Sequence, residues 1–150
     1  LLPQETDWQS LYREYQMQGY SLTKHPLGLL RPHLKGCTKA ADLIKMRNGQ
    51  SVRIAGLVSL LQRPPTAKGF AFLTMEDESG LFNVIFQPKV YQEYRLIIAN
   101  SPLIQIQGRL QRQGLVIHVR VEKLWPIPVD RLIQSQDQLS ITEVHGYGSS

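Results

Sequence analysis

Aromatic and cationic side chains recur close together in the middle of the sequence. Phe70 and Phe72 follow a loop that contains Arg63 and Lys68. Exposed aromatic rings stack on nucleobases for about 1–3 kcal/mol per base without reading the base sequence. Cations beside such a stack neutralise phosphates. These residue types at this spacing therefore predict a surface that binds a single-stranded nucleic acid.

Further candidates for the same surface lie on the predicted strands around this pair. An amide side chain occurs on the third strand, and arginines occur on the first strand and along the last hairpin. The candidate nucleic-acid-binding residues are Arg53, Arg63, Lys68, Phe70, Phe72, Asn83, Arg109, Arg112 and Arg120. The net charge is +5, and its positive excess lies before the acid-rich residues 125–150. A polyanionic partner fits that distribution.

The sequence shows no arrangement typical of catalysis. The acidic run Glu76–Glu78 precedes Ser79 and Gly80, so we interpret it as a turn in which the aspartate serves backbone geometry. Cys37 is the only cysteine, which excludes an internal disulfide and a multi-cysteine zinc site. His25 precedes Pro26 and is interpreted as a helix-start residue. We expect no catalytic residue, no metal site and no cofactor in this chain.

Length and composition predict a globular domain with an appendage. The chain has 150 residues, of which 42% are hydrophobic and 19% charged. No apolar run is long enough for a membrane helix, and the N-terminus lacks the pattern of a signal peptide. A single cysteine suits a reducing cytoplasm. The absence of a starting Met indicates a fragment or a processed product, expected to be cytoplasmic, monomeric and without membrane contact.

Residues 1–50 are predicted to form short helical segments joined by loops. Thr6–Gln9 reads as a capping box, and apolar residues follow it at helical spacing. A second short helix begins at Pro26, whose missing N–H costs nothing in a first turn, and breaks at Pro32. Thr38 is predicted to cap a third.

From Val52 the hydrophobic period changes from helical to alternating. Five strands and one helix are predicted in this order: Val52–Leu61, Phe70–Glu76, Leu81–Phe86, a helix that opens at Pro88, Leu103–Leu110 and Leu115–Leu124. This is the order of the OB-fold, a five-stranded β-barrel with the order β1-β2-β3-α-β4-β5. The chain therefore divides into a helical lead-in (1–50), an OB-fold nucleic-acid-binding domain (51–125) and a tail (126–150).

Alternation within the strands predicts which side chains fill the barrel. The predicted inward set is Ala71, Leu73, Met75, Ile104, Ile106, Gly108, Leu110, Leu115, Ile117, Val119 and Val121. Phe70 and Phe72 then point outward on the face of strands two and three, where OB-folds bind oligonucleotides. Gly56 predicts a bulge or sharp bend in the first strand. Residues 111–114 predict the last hairpin turn.

Several stretches resemble the C-family of bacterial DNA polymerases, the relatives of the DNA polymerase III alpha subunit. Gly19–Leu27 resembles the segment before their OB domain, and residues 52–124 resemble that domain almost throughout. The most similar stretches are Arg63–Gly69, Thr74–Gly80, Asn83–Pro88 and Gly108–Val119. The first and the last of these are most similar to the error-prone branch of the family.

The resemblance implies a parent enzyme of DNA replication, DNA repair and translesion synthesis that adds deoxynucleotides with magnesium held by aspartates in an upstream palm domain. It implies that this chain is a non-catalytic module that holds single-stranded template DNA through Arg63–Lys68 and strands two and three. Other domains of the parent polymerase are the second expected partner. Two alternatives stay open: a protein-docking module within the polymerase, and the anticodon-binding barrel of a tRNA synthetase. The polymerase-like loop Arg63–Gly69 argues against the latter.

Overall fold

The computed structural model of the protein describes residues 25–128. The helices and strands of this part are α1 Pro26–Leu30, β1 Ser51–Gln62, β2 Ala71–Asp77, β3 Gly80–Phe86, α2 Pro88–Asn100, β4 Leu103–Gln113 and β5 Val116–Pro126. Short 3₁₀ helices lie at Arg31–His33, Ala40–Lys45 and Pro65–Ala67. The predicted element order is confirmed. The helix predicted after Thr6–Gln9 and the tail beyond residue 128 lie outside the described residues.

The five strands close into a barrel in the order β1-β2-β3-β5-β4, and β4 pairs back with β1. All neighbouring strands are antiparallel except β3 and β5, which are parallel at Val84–Val119 and Ile85–Arg120. β1 pairs with β4 through Ser51–Leu57 and with β2 through Leu57–Gln62. The long first strand therefore belongs to both sides of the barrel, and the predicted five-stranded OB-fold is confirmed.

Alternating side chains fill the barrel interior. Most of the predicted inward set is buried, namely Ala71, Leu73, Met75, Ile104, Ile106, Gly108, Leu110, Val119 and Val121. Helix α2 contributes Tyr91 and Ile98 to the same core. The Tyr91 ring meets the Phe86 ring edge to face, with 6.1 Å between the centroids. The helix between β3 and β4 is thus fixed to the barrel by apolar contact.

The last hairpin turns two residues later than residues 111–114 predict. Gln113 pairs with Val116, so Gly114 and Leu115 form a two-residue loop. Gly114 has φ 60°, which suits the first central position of a type II′ turn. Leu115 is fully exposed at the tip. Leu115 was predicted to point into the barrel. That prediction was wrong, because Leu115 is the second residue of the turn that Gly114 permits.

Gly56 does not form the predicted bulge. It pairs regularly with Ile104, and the irregular register of β1 lies between Val58 and Leu60. A Cβ on Gly56 would lie 2.9 Å from two ring atoms of Phe82. Such a contact is closer than carbon atoms tolerate. Close packing across the barrel therefore requires glycine here.

The lead-in packs against the outer surface of β1 and forms what we call the covered face of the barrel. Its apolar cluster contains Leu27, Leu30, Leu34, Ala55, Leu57, Leu103 and Ile127. His25 starts α1, because its Nδ1 accepts a hydrogen bond from the Leu27 N–H at 3.1 Å. The interpretation of His25 as a helix-start residue is thus confirmed. The covered face gives the lead-in a small core of its own outside the barrel.

Charged side chains fasten the lead-in to the turn between β2 and β3. Arg31 donates to both carboxylate oxygens of Glu78, from Nε at 2.9 Å and from Nη2. Asp77 Oδ1 accepts from the Ser79 N–H at 2.7 Å, and its Oδ2 accepts from the Ala40 N–H, also at 2.7 Å. Asp77 is buried. It therefore shapes the turn, as interpreted from the sequence, and also holds the lead-in.

Two groups at this junction have shifted pKa values. Burial lowers the pKa of His25 by more than the nearby carboxylates of Glu76, Glu78 and Asp77 raise it. His25 Nε2 lies 3.0 Å from Glu76 Oε1. Burial acts to raise the pKa of Glu78, but the hydrogen bonds and the charge of Arg31 lower it further, so the net shift is downward. A neutral histidine and an ionised glutamate are thus the states that this junction favours.

Candidate nucleic-acid interface

The outer surfaces of β2, β3 and β5, together with the adjoining side chains of Leu60 on β1 and Arg109 on β4, form what we call the open face of the barrel. The strand register places one row of side chains across it. Phe72 on β2 lies beside Ile85 on β3, and Ile85 lies beside Arg120 on β5. Arg120 in turn lies beside Arg109 on β4. Since directly opposed side chains are about 5 Å apart, the row joins an aromatic ring to two guanidinium groups.

The side chains of this row are accessible to a ligand. Phe72, Ile85 and Arg120 are half-buried, and Arg109 is exposed. Arg109 lies 3.4 Å from Glu122, between Nε and Oε1, and donates to the Gly49 carbonyl at 3.2 Å. No carboxylate among residues 25–128 forms an ion pair with Arg120. Its positive charge is therefore available to a phosphate.

A second row on the open face combines polar and apolar groups. Thr74 pairs with Asn83, and Thr74 Oγ1 lies 3.5 Å from Asn83 Oδ1. Leu60, beside Thr74, is 51% exposed, and Leu81 is 63% exposed. The sequence reasoning missed the two leucines and Ile85, because apolar residues in alternating strands indicate core positions. Only the structure shows that these three apolar side chains lie on the outer surface of the sheet.

The loop between β1 and β2 carries two predicted cations. Lys68 is exposed and has φ 54°, a left-handed conformation. The guanidinium carbon of Arg63 lies 4.4 Å from the centroid of the Tyr91 ring on α2. Phe70 ends this loop, because its N–H bonds the Ala67 carbonyl at 3.1 Å and β2 begins one residue later. Phe70 is half-buried rather than fully displayed.

Two of the predicted binding residues lie apart from the open face. Arg112 Nη2 donates to the carbonyls of Ile44 at 2.5 Å and Met46 at 2.9 Å, and so ties the last hairpin to the lead-in. Arg53 lies on β1, and its guanidinium carbon is 5.7 Å from the centroid of the Trp125 ring. The structure therefore brings together Phe72, Arg109 and Arg120, with Asn83 on the same face, but separates Arg53 and Arg112 from them.

A bulge in β5 decides where its last side chains point. The pairing of β4 with β5 shifts by one residue next to Gly108, which leaves Glu122 as the extra residue. A Cβ on Gly108 would lie 2.0 Å from the Arg120 carbonyl oxygen, so only glycine lets the two strands approach here. After the bulge, Lys123 and Trp125 are exposed on the outer surface. Bulges often re-aim side chains beside functional sites.

Within residues 25–128, the acidic and histidine side chains do not assemble into a cluster of three suited to a metal ion. Glu78 instead contacts Arg31, and Glu76 lies beside His25. The helices of the same part are too short or too polar to cross a membrane.

A comparison with protein families adds to this geometry. Residues 52–127 match the family described as OB-fold nucleic acid binding domain. The chain belongs to this family. The matched range begins within β1 and ends just after β5, so the OB-fold domain is the whole barrel without the lead-in.

The OB-fold domain and its flanks are also similar to a segment of larger proteins. An error-prone DNA polymerase from Bdellovibrio bacteriovorus is 38% identical over 138 residues, which are 84% of this chain and 13% of that protein. An error-prone DNA polymerase from Pseudomonas fluorescens is 37% identical over 142 residues, 91% of this chain and 14% of that protein. The chain thus spans a small part of the length of these relatives. The predicted resemblance to the error-prone branch is confirmed.

A solved structure supports the fold of the OB-fold domain. Asparaginyl-tRNA synthetase from Pyrococcus horikoshii, complexed with asparaginyl-adenylate, aligns with a TM-score of 0.52 over 61% of this chain and 22% of that chain. The two are 20% identical in the aligned part. At that identity the likeness shows a shared fold, and fold alone does not carry function.

Proposed function

We propose that the OB-fold domain binds single-stranded DNA on its open face and holds the template strand for an error-prone DNA polymerase. The observation that carries the proposal is the row in which Phe72, Ile85, Arg120 and Arg109 lie side by side. A base can stack on the aromatic ring, and the backbone on one side of it meets the two cations. This arrangement binds any base, as a template-holding surface must.

The charge balance of the barrel supports a polyanionic ligand. Residues 25–128 contain fourteen Lys and Arg side chains and six Asp and Glu side chains. Three of the six acids, Glu76, Asp77 and Glu78, lie at the junction with His25 and Arg31. The acids are therefore concentrated where the lead-in attaches. Arg120 of the open face and the cations of the β1–β2 loop form no ion pair within residues 25–128, so they keep their attraction for phosphates.

The polymerase activity itself is proposed to come from outside this chain. The relatives are error-prone DNA polymerases, and their magnesium-dependent nucleotidyl transfer needs a centre that the described barrel does not offer. In the proposed arrangement the domain is a non-catalytic part of a cytoplasmic enzyme of replication and repair. Its second partner is the rest of the polymerase.

Replacement of the aromatic ring tests the proposal directly. We expect Phe72→Ala to weaken the binding of a fluorescein-labelled deoxythymidine oligonucleotide about tenfold, because one base loses its stacking partner. The matched control is Leu96→Ala, which removes an exposed apolar side chain from α2. Fluorescence anisotropy gives both affinities. Equal affinity in the two variants would remove the stacking role of Phe72.

Protein docking is the second candidate function of the open face. The exposed Leu60 and Leu81 favour it, since an apolar patch on a sheet surface often marks a protein contact. A salt series separates the two functions. DNA binding predicts that the logarithm of the affinity falls with the logarithm of the salt concentration at about −0.7 per phosphate contact. A folded barrel that binds no oligonucleotide at low salt would leave docking as the function of this face.

A further inference from the structure

A cavity of about 380 Å³ opens on the other side of the barrel, between the lead-in and the ends of β1, β4 and β5. Its polar rim contains Arg53, Gln105 and His33, and Trp125 lies beside them. We propose that this cavity is a second DNA subsite, which takes one nucleobase of the single strand. The inference rests on the proposed function, because it extends the same bound strand beyond the open face.

Neighbouring strands bring the key side chains of the cavity together. Gln105 on β4 pairs directly with Trp125 on β5. Arg53 comes from β1, two register positions along β4 from Gln105, and its guanidinium carbon lies 5.7 Å from the Trp125 ring centroid. The Trp125 side chain is 39% exposed. Part of the aromatic surface is thus accessible, and among the described residues the Arg53 guanidinium lies over it.

The floor of the cavity is rigid and apolar. Leu30, Leu34 and Ile127 line it, and all three are buried in the cluster beneath the covered face. Ligand pockets commonly combine such an apolar floor with a few polar groups that fix orientation. The volume is near the lower end of the usual range of about 300–1,000 Å³. That size suits one base with its sugar and is small for a folded peptide.

The chemistry of these side chains matches a nucleotide. An incoming base displaces Arg53 from the indole and stacks on Trp125, because base stacking is stronger than an exposed cation–π contact. The freed guanidinium then pairs with the phosphate of that nucleotide, in the geometry that arginine favours. No carboxylate among the described residues forms an ion pair with Arg53. Gln105 offers both a donor and an acceptor to the base edge.

A continuous path connects the cavity to the open face. On β4, Arg109 and Gln105 are four residues apart, about 13 Å along the strand. On β5, Lys123 lies between Arg120 and Trp125, and the bulge at Glu122 keeps it on the outer surface. A single strand that leaves the open face at the two arginines therefore meets Lys123 before it reaches the indole. The bulge aligns these groups on one side of β5.

Intrinsic fluorescence and affinity together test the second subsite in the full chain. A twelve-residue deoxythymidine oligonucleotide is expected to quench the tryptophan emission of the wild type, and Trp125→Phe is expected to lose most of that quenching while it keeps its affinity. Trp125→Ala is expected to bind roughly tenfold more weakly, since alanine offers no ring for stacking. Arg53→Ala is expected to lower the salt dependence by about 0.7, one phosphate contact. Arg47→Ala, which removes an exposed cation of the lead-in, is the matched control and keeps the wild-type slope.

The outcomes separate this inference from the proposed function. Equal quenching in the wild type and in Trp125→Phe would overturn the second subsite, and so would wild-type affinity in Trp125→Ala. If affinity still depends on Phe72 in that case, the open face stands and the strand ends there. If the wild type binds no oligonucleotide, both proposals fail together. A cavity filled by another part of this chain would likewise show as unchanged emission and counts against the subsite.

Discussion

The arginines that attach the lead-in differ from Arg120 of the open face in their partners. Arg31 is held by Glu78, and Arg112 is held by two backbone carbonyls of the lead-in. On the open face, Arg120 forms no ion pair within residues 25–128. The same residue type is thus used for stability on one side and left available on the other. Net charge alone would have treated the three arginines as equivalent.

The faces also differ in how they use apolar side chains. The covered face buries Leu27 and Leu30 against Ala55 and Leu57, so these apolar side chains are already removed from solvent. The open face leaves Leu81 63% exposed. An exposed apolar side chain does not by itself indicate a ligand, but Leu81 lies on the same strand as Ile85 of the proposed binding row. The apolar cluster of the covered face therefore stabilises the lead-in, whereas the open face keeps apolar side chains in contact with solvent.

The largest expected effect comes from the point where β4 and β5 approach most closely. Gly108→Ala places a Cβ about 2.0 Å from the Arg120 carbonyl oxygen, and the strands must separate to admit it. We expect a loss of ~3 kcal/mol or more in unfolding free energy, measured by urea denaturation. The control is Gly28→Ala in α1, where the nearest atom lies at 3.8 Å. If Gly108→Ala unfolds like the wild type, the close approach is absent in solution.

The junction with the lead-in should show the next largest effect. Arg31→Ala leaves the Glu78 carboxylate without its hydrogen bonds at a site where both side chains are less than a fifth exposed. We expect the unfolding free energy to fall by about 2 kcal/mol. Lys45→Ala, which breaks an exposed pair with Asp42, should change it by less than about 0.5 kcal/mol. Similar losses in the two variants would contradict a specific role for Arg31.

Two arginines of the last hairpin test the difference between the faces directly. Arg112→Ala should cost about 1 kcal/mol of unfolding free energy, because it releases the lead-in carbonyls, and should leave the salt dependence of DNA binding unchanged. Arg120→Ala should leave stability nearly unchanged and should lower that salt dependence by about 0.7. Urea denaturation and anisotropy at several salt concentrations measure the two properties. The reverse pattern would exchange the roles assigned to the two residues.

The smallest effect is a dependence of stability on pH. Because burial lowers the pKa of His25 below its ordinary value of 6.5, the folded state binds fewer protons than the unfolded state below that pH. Stability is therefore complete above about pH 6.5 and declines as the pH falls toward the folded-state pKa. His25→Asn keeps a side-chain cap for α1 and should flatten this decline in urea midpoints measured from pH 5 to pH 8. His33→Asn, at an exposed position, should keep it.

Much of the fold followed from local patterns. The alternation of β2 and β4 and the opening of a helix at Pro88 depend on near neighbours, so the sequence predicts them well. Leu115 was placed wrongly because the loop of the last hairpin is Gly114–Leu115, two residues later than the middle of residues 111–114. Gly56 was predicted to form a bulge or a sharp bend, and the bulge was wrong. The ring of Phe82, which is distant in sequence, is what requires the glycine.

The candidate site was harder to predict for the same reason. Phe72 is on the open face as expected, but its neighbours Ile85 and Arg120 are brought there by the pairing of β3 with β5. The hydrogen bonds of Arg31 to Glu78 join residues 47 positions apart. Nothing local to Arg112 distinguishes it from Arg120. Contacts between distant segments therefore decide which cations are free.

The parallel pairing of β3 with β5 has a mechanical consequence. This joint closes the barrel at Val84–Val119 and Ile85–Arg120, whereas β4 and β5 remain paired from Ile104 to Gln113. This seam has the fewest residue pairs of the five strand pairings in the barrel. Ile85 and Arg120 are also the middle of the proposed binding row. A polynucleotide bound across these two residues would hold β3 and β5 together. We expect it to slow the exchange of amide hydrogens on both strands.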